Sequence, residues 1–262
     1  MSDEKEIQFT IDGKPVTGLA GETALAIARR HGFDIPTLCH HESVLPYGVC
    51  RLCLVEVSWG RRSKVVVSCV YTPTAGDIIT TNSERVVKAR RVILEFLLAR
   101  CPEVDAIRDL AHKYGVDASR FRNDGDTAKS ERCILCGLCV RVCREVVGRH
   151  AIGFANRGVE RVVSTPFAGA AEECVGCGAC VQVCPTGALH YEDAAGRRIM
   201  KEFHTEIPLA RCRVCGEFFA PATLLASVGK RVSIPVDLAE TCPKCRGAGL
   251  RRSMVKLQGE QA

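Results

Sequence analysis

The chain has 262 residues, of which 47% are hydrophobic but only 5% aromatic, and its 36 Lys and Arg against 30 Asp and Glu leave a net charge of +6. That length supports one or two ordinary domains with a modest apolar core, so the 17 cysteines must supply part of the framework through bound metal. Residues 205–262 hold nine basic against five acidic side chains, yet no basic stripe interleaved with aromatics accompanies them, which argues against nucleic acid and for a protein-docking or solvated surface.

In chain order, residues 5 to 19 alternate as a hairpin, with Ile7, Phe9 and Ile11 on one face and a turn at Asp12-Gly13. Thr23 to His31 carries Ala24, Leu25, Ile27 and Ala28 at helical spacing and stops at Gly32. Leu54 to Ser58, Lys64 to Val70 and Asp77 to Thr81 follow as strands, and this order is that of a β-grasp domain over residues 1–82. A helical connector occupies 83–129, with Ser83 as N-cap of a helix reaching Arg100, Pro102 opening a second helix that ends at Gly115, and a hinge at Asn123-Asp124-Gly125-Asp126. Two similar cysteine runs about forty residues apart make an internal duplication in 130–204, and a final small module fills 205–262. The fold class expected is therefore α+β.

Sixteen cysteines fall into spacings that metals demand. Cys39, Cys50, Cys53 and Cys69 read C-x10-C-x2-C-x15-C, which fits a 2Fe-2S cluster and departs from the plant-type C-x4-C-x2-C. His40 and His41 invite a Rieske arrangement, but four cysteines are already at hand and both are read as polar loop residues. Cys133, Cys136, Cys139, Cys143 and Cys174, Cys177, Cys180, Cys184 each read C-x2-C-x2-C-x3-C, the spacing of a bacterial-type domain with two 4Fe-4S clusters. In such pairs the fourth cysteine serves the other cubane, which groups Cys133, Cys136, Cys139 and Cys184 for the first and Cys174, Cys177, Cys180 and Cys143 for the second. Gly137, Gly176 and Gly178 leave room for backbone near the sulfurs; Pro185 closes the second run, whereas Arg144 stands at that place in the first. Cys212, Cys215, Cys242 and Cys245 form the paired knuckles of a zinc ribbon, with a third cubane as the sharper alternative. Cys101 is left over and reads as a small buried apolar residue.

Such spacings suit a reducing compartment, the charged start Met1-Ser2-Asp3-Glu4-Lys5-Glu6 has no apolar run behind it, and no stretch reaches membrane-span length. The expectation is a cytoplasmic protein without direct membrane insertion.

Pro36-Thr37-Leu38-Cys39-His40-His41, Cys50-Arg51-Leu52-Cys53-Leu54-Val55-Glu56-Val57, Cys139-Val140-Arg141-Val142-Cys143-Arg144-Glu145-Val146 and Cys184-Pro185-Thr186-Gly187-Ala188-Leu189 resemble the iron-sulfur diaphorase subunit of bidirectional NAD-linked hydrogenases. They are similar as well to the N-terminal part of the complex I large iron-sulfur subunit and to the cluster-bearing fronts of iron-only hydrogenases and NAD-linked formate dehydrogenases. The resemblance covers residues 5 to about 200. It implies a non-catalytic relay whose partners are a flavin-containing NAD(P)H-oxidising subunit and a further redox or catalytic subunit. The family places another 4Fe-4S site, held by one His and three Cys, just after its β-grasp domain. Leu97-Leu98-Ala99-Arg100-Cys101-Pro102 and Asp109-Leu110-Ala111-His112 offer one Cys there, so that cluster is expected to be lost.

Two other classes compete. An enzyme such as a truncated iron-only hydrogenase needs a further cysteine-rich catalytic domain, and no G-x-G-x-x-G lies between a strand and a helix to bind a dinucleotide. A stand-alone multi-cluster ferredoxin or zinc-ribbon interaction module seldom needs three centres and a helical connector; identifying what co-purifies separates it from a complex subunit.

Overall fold

The computed structural model describes residues 5–117, 119–121, 132–233 and 235–248, and the chain divides into two compact units. The first comprises Met1–Val146 with Val183–Ala188, the second Val147–Gln182 with Leu189–Ala262. The expected hinge at 123–126 lies outside the described residues.

In the first unit β1 (Glu6–Ile11) and β2 (Lys14–Leu19) form the expected hairpin, and α1 (Ala24–Arg30) crosses to β3 (Leu54–Trp59), β4 (Arg62–Val67) and β5 (Ile78–Thr80). The sheet order is β2-β1-β5-β3-β4, with β1 and β5 parallel and the other neighbours antiparallel. Period-two alternation puts Ile7, Phe9, Ile11, Val55, Val57 and Ile79 on the face where Ala24, Leu25, Ile27 and Ala28 of α1 pack. Each of the larger of these side chains contributes about 2 kcal/mol on burial. The helix is tied at its start: Thr23 Oγ1 accepts from Ala26 N at 3.3 Å, while Ala24 N and Leu25 N donate to Tyr71 O at 2.7 Å and Ser68 O at 3.0 Å. The residues around Cys69 thereby satisfy first-turn N–H groups of α1.

Helices α2 (Glu84–Arg100) and α3 (Asp105–Lys113) follow. Ser83 caps α2 through a 3.4 Å bond from Val86 N. The second helix begins three residues after Pro102, because Val104 N donates to Cys101 O and the chain turns before Val104 O accepts from Ile107 and Arg108. Leu94, Cys101, Val104, Ile107, Ala111 and Val116 share one core with Leu38 and Leu52, so this helical pair packs on the residues that flank Cys39 and Cys53. Further along the chain, α4 (Leu138–Arg141) continues into a π turn over Val142–Val147.

The second unit holds a hairpin of β6 (Gly153–Ala155) and β7 (Val162–Ser164), the short helix α5 (Ala179–Gln182), and a four-stranded antiparallel sheet. That sheet runs β8 (Glu192–Ala194), β9 (Arg197–Met200), β10 (Thr205–Arg211) and β11 (Phe218–Pro221) in sequence order. Thr205 pairs with Met200 and Pro208 with Arg197, so the expected boundary at 204/205 falls inside a hairpin. A zinc ribbon has strands between its two knuckles; here β11 is followed instead by α6 (Ala222–Gly229) and α7 (Val236–Ala239), because Ala222-Thr223-Leu224-Leu225-Ala226 favours helix. Among the described residues no helix is long and apolar enough to cross a membrane.

One ion pair locks β2 to α1. Glu22 accepts Leu19 N at 2.7 Å and both Arg30 nitrogens at 2.6 and 2.8 Å. Arg30 and the Leu19 amide hold the Glu22 carboxyl down at about 2, against an ordinary value of 4.5. A carboxyl depressed by folding stabilises fully above its unfolded value and loses that contribution as pH falls through the folded one. The stability advantage of the wild type over Glu22→Gln, measured from urea midpoints, is therefore expected at pH 7 and should vanish as pH drops from 4.5 towards 2. A difference independent of pH would remove the pair from the account.

Candidate metal centres

The first centre is assembled from a loop and two strand ends. Cys39 and Cys50 lie on the loop between α1 and β3, Cys53 immediately precedes β3, and Cys69 follows β4; Ser68 N donates to Cys53 O at 3.0 Å and joins the two strand ends. Cys39, Cys53 and Cys69 are each 1% exposed. The four thiols gather as two hydrogen-bonded pairs, Cys39 with Cys50 and Cys53 with Cys69. Within each pair the shared bond lowers one thiol and raises the other: Cys50 falls to about 6 while Cys39 rises, and Cys53 falls to about 7 while Cys69 rises. Two pairs of thiolates suit two tetrahedral irons.

Main-chain donors point at this sulfur set. Cys50 N reaches Cys39 Sγ at 3.4 Å, and Arg51, in the left-handed region at φ +59°, turns the intervening chain. A buried polar atom beside the loop, Arg141 Nε, has no protein hydrogen-bond partner. Buried donors of this kind need an acceptor, and sulfur-rich groups held by the neighbouring cysteines would supply one. His40 and His41 are engaged elsewhere: Arg29 approaches His40 Nδ1 at 3.2 Å, and His41 Nδ1 accepts from Ser43 N at 3.1 Å.

Because loop N–H groups face sulfur, loop carbonyls face away and need donors of their own. Arg90, 0% exposed on α2, meets this need with Nε to Leu52 O at 2.9 Å and a terminal nitrogen to Leu54 O at 2.5 Å, its other bonds going to Asn82 and Tyr114. Arg141 donates to Cys39 O at 2.8 Å and to Leu45 O. Composition and spacing mark neither residue, since any peptide carbonyl can be the acceptor.

In the first of the duplicated runs, Cys136 and Cys139 are buried and Cys133 and Cys143 half-buried, as is Cys184 of the second. Burial pushes the Cys136 thiol up to about 11, with the nearby Cys184 and Cys133 adding to the rise, so Cys184 stands close to a run that ends 41 residues before it in the chain. Ala188 N donates to Cys184 Sγ at 3.3 Å, and Arg100 Nε holds Cys133 O at 2.8 Å. In the second run Cys174, Cys177 and Cys180 are half-buried, Gly176 N reaches Cys174 Sγ at 3.4 Å, and Arg198 donates to Gly176 O at 2.7 Å while paired to Asp193. The duplication extends to the backbone: Leu135 (φ +55°) and Gly137 (φ +71°) match Gly176 (φ +68°) and Gly178 (φ +75°). A Cβ on Gly176 would meet Ile207 at 2.9 Å and one on Gly178 would meet Tyr191 at 2.8 Å, so both glycines answer close approach as well as left-handed backbone.

The sulfurs of Cys212, Cys215, Cys242 and Cys245 all lie within 4.8 Å of one another, with Cys215 and Cys242 3.8 Å apart. Cys212 and Cys215 sit on the β10–β11 connection and the other pair follows α7. Main-chain donation from Cys242 and Cys215 lowers the Cys212 thiol to about 6, which favours a thiolate. Cys101 is 0% exposed in the core beneath α2 and α3, whereas His112 is exposed.

Residues 4–84 match the family described as a 2Fe-2S iron-sulfur cluster binding domain, and residues 132–188 match the 4Fe-4S dicluster domain. An NADH-quinone oxidoreductase subunit of Rhizobium meliloti is 37% identical over 205 residues, 70% of this chain. The mitochondrial NADH-ubiquinone oxidoreductase 78 kDa subunit of Neurospora crassa is 35% identical over 182 residues, 61% of this chain. The chain is thus similar to NADH-quinone oxidoreductase subunits and carries segments that match 2Fe-2S and 4Fe-4S dicluster domains. It spans 24% of the length of each of those two curated relatives. A crystal structure of an NAD+-reducing nickel-iron hydrogenase in the H2-reduced state superposes with a TM-score of 0.54 at 29% identity, over 61% of this chain and 74% of that one.

Replacing Arg90 by Met strands the Leu52 and Leu54 carbonyls beside the first centre. Leaving two buried acceptors unsatisfied should cost about 3 kcal/mol, read as a lowered urea midpoint. A loss under about 1 kcal/mol would show that water takes over the role of the guanidinium.

Proposed function

We propose that this chain is the electron-transfer subunit of a multisubunit NAD(P)-linked oxidoreductase, relaying single electrons between a flavin-containing NAD(P)H-oxidising subunit and a further redox subunit. The observation that carries the reading is the gathering of Cys39, Cys50, Cys53 and Cys69 at one loop and two strand ends of the β-grasp domain, followed by two four-cysteine runs with repeated left-handed turns. The relatives' names, NADH-quinone oxidoreductase and NAD+-reducing hydrogenase, supply the electron donor or acceptor class.

Cys39, Cys50, Cys53 and Cys69 would hold the 2Fe-2S group, two thiolates to each iron. Cys133, Cys136, Cys139 and Cys184 would hold one 4Fe-4S group, and Cys174, Cys177 and Cys180 with Cys143 the other, the last assignment resting on the spacing rule for paired runs. When bound, these groups supply reversible one-electron capacity. The chain's own residues fix the thiolates, aim main-chain N–H groups at sulfur, and keep water from the deeper cysteines. Cys101, buried in the core of the helical pair, takes no part.

For the last four cysteines the sulfur spacing favours a single ion. A tetrahedral zinc with Zn–S near 2.3 Å sets its sulfurs ~3.8 Å apart, whereas a cubane spreads four thiolates over four irons. The Cys215–Cys242 distance of 3.8 Å and the 4.8 Å limit for the set agree with the former. Zinc is redox-inert, so this site holds the fold of the second unit's end and a basic docking surface for an acidic partner.

Protein made anaerobically should carry about ten irons per chain, and Cys53→Ser should abolish the 2Fe-2S signal in electron paramagnetic resonance while both cubane signals and the Cys101→Ala iron content stay unchanged. Iron near fourteen, falling by about four in Cys101→Ala, would overturn that assignment. The purified chain alone should not be reduced by NADH until a flavoprotein subunit is added; rapid bleaching by NADH without flavin would refute the relay role.

The full-length protein should also contain about one zinc, lost in Cys242→Ser with iron unaltered. If Cys242→Ser instead removes iron, the site is a redox centre.

A further inference from the structure

Arg141 lies on α4 between two cysteines of the first duplicated run, two residues after Cys139 and two before Cys143, yet its guanidinium is directed to the β-grasp loop. It is 6% exposed. One terminal nitrogen donates to Cys39 O at 2.8 Å, the other donates to Leu45 O, and the group lies 5.4 Å from the Tyr47 ring centroid. The π turn that follows presents Glu145, which accepts Leu45 N at 2.8 Å, so both polar groups of Leu45 are held by the helix that bears Cys139 and Cys143. Arg141 Nε remains a buried donor without a protein partner.

We propose that Arg141 is a positioning residue that also acts electrostatically: it pins the Cys39 loop to the Cys139 helix and keeps one buried positive charge beside both, raising the reduction potential of the groups they hold. The inference rests on the iron-sulfur assignment above. Adding an electron makes each group more negative, and a fixed cation in a low-dielectric setting stabilises that form more than the oxidised one. An exposed arginine at the same distance would be screened by water and salt. A hydrogen-bonding pin alone could be built from Asn or Gln; burying a cation at this junction, with one donor left over, points to the charge itself as the requirement.

The test is a redox titration followed by electron paramagnetic resonance on the full, cluster-loaded chain, comparing wild type with Arg141→Gln, Arg141→Lys and the exposed neighbour Arg144→Gln. The 2Fe-2S group of Arg141→Gln should be about tenfold harder to reduce, a downward shift of about 59 mV for one electron, with iron content retained. Arg141→Lys should stay near the wild-type potential, and Arg144→Gln should not move it. Equal potentials in wild type and Arg141→Gln at full iron content overturn the proposal and leave a purely structural pin. Should Arg141→Gln lose iron, Arg141→Lys decides: a loaded protein of wild-type potential supports the charge, and iron loss as severe as in the Gln variant overturns it. A wild type that binds no iron refutes the underlying assignment, and the inference falls with it.

Discussion

The architecture turns on a main-chain conflict. A loop that aims N–H groups at cysteine sulfur points its carbonyls the other way, into protein where water is scarce, and a buried carbonyl without a donor is costly. Arginine resolves the conflict in these cysteine loops: Arg90 at Leu52 and Leu54, Arg141 at Cys39 and Leu45, Arg100 at Cys133, and Arg198 at Gly176. Its planar fork reaches two acceptors at once, which Lys cannot do with the same geometry. Burial of Arg90 opposes its charged form, so these contacts are not cheap to form, and Tyr114, with a smaller contribution from Cys53, offsets part of that cost.

Around these clamps the apolar frame is small. The β-grasp core is a single face of sheet against α1, and the second core of the same unit is shared between the helical pair and the loop residues Leu38 and Leu52. The helices therefore do more than connect. They cover the back of the first centre, and Arg90 and Arg100 are delivered from the same helix, α2. In the second unit the support comes from a sheet, where Arg198 on β9 is stacked 3.8 Å over Tyr191 and paired to Asp193.

Among the described residues, the last four cysteines are the set whose sulfurs all gather within 4.8 Å of one another. Paired thiols in the β-grasp domain suit two irons, whereas four mutually close thiols at the end of the second unit suit one ion. In the function proposed above, the same residue type would serve an electron-carrying role in one place and a structural one in another.

The cysteine spacings, the order hairpin, helix and strands, the Ser83 cap, and the duplication were all legible in the chain, because ligand turns and caps are local and leave a fixed offset between residues. Tertiary structure alone decided the rest. Arg141 finds Cys39 across 102 positions, and its acceptor is a peptide carbonyl that every residue carries, so no side-chain pattern encodes the pairing. Leu135 adopts the left-handed turn that glycine takes at 176, a substitution the spacing hides. The β9–β10 hairpin joins segments that composition divides, since strand pairing depends on register and burial at both ends rather than on a change in residue content.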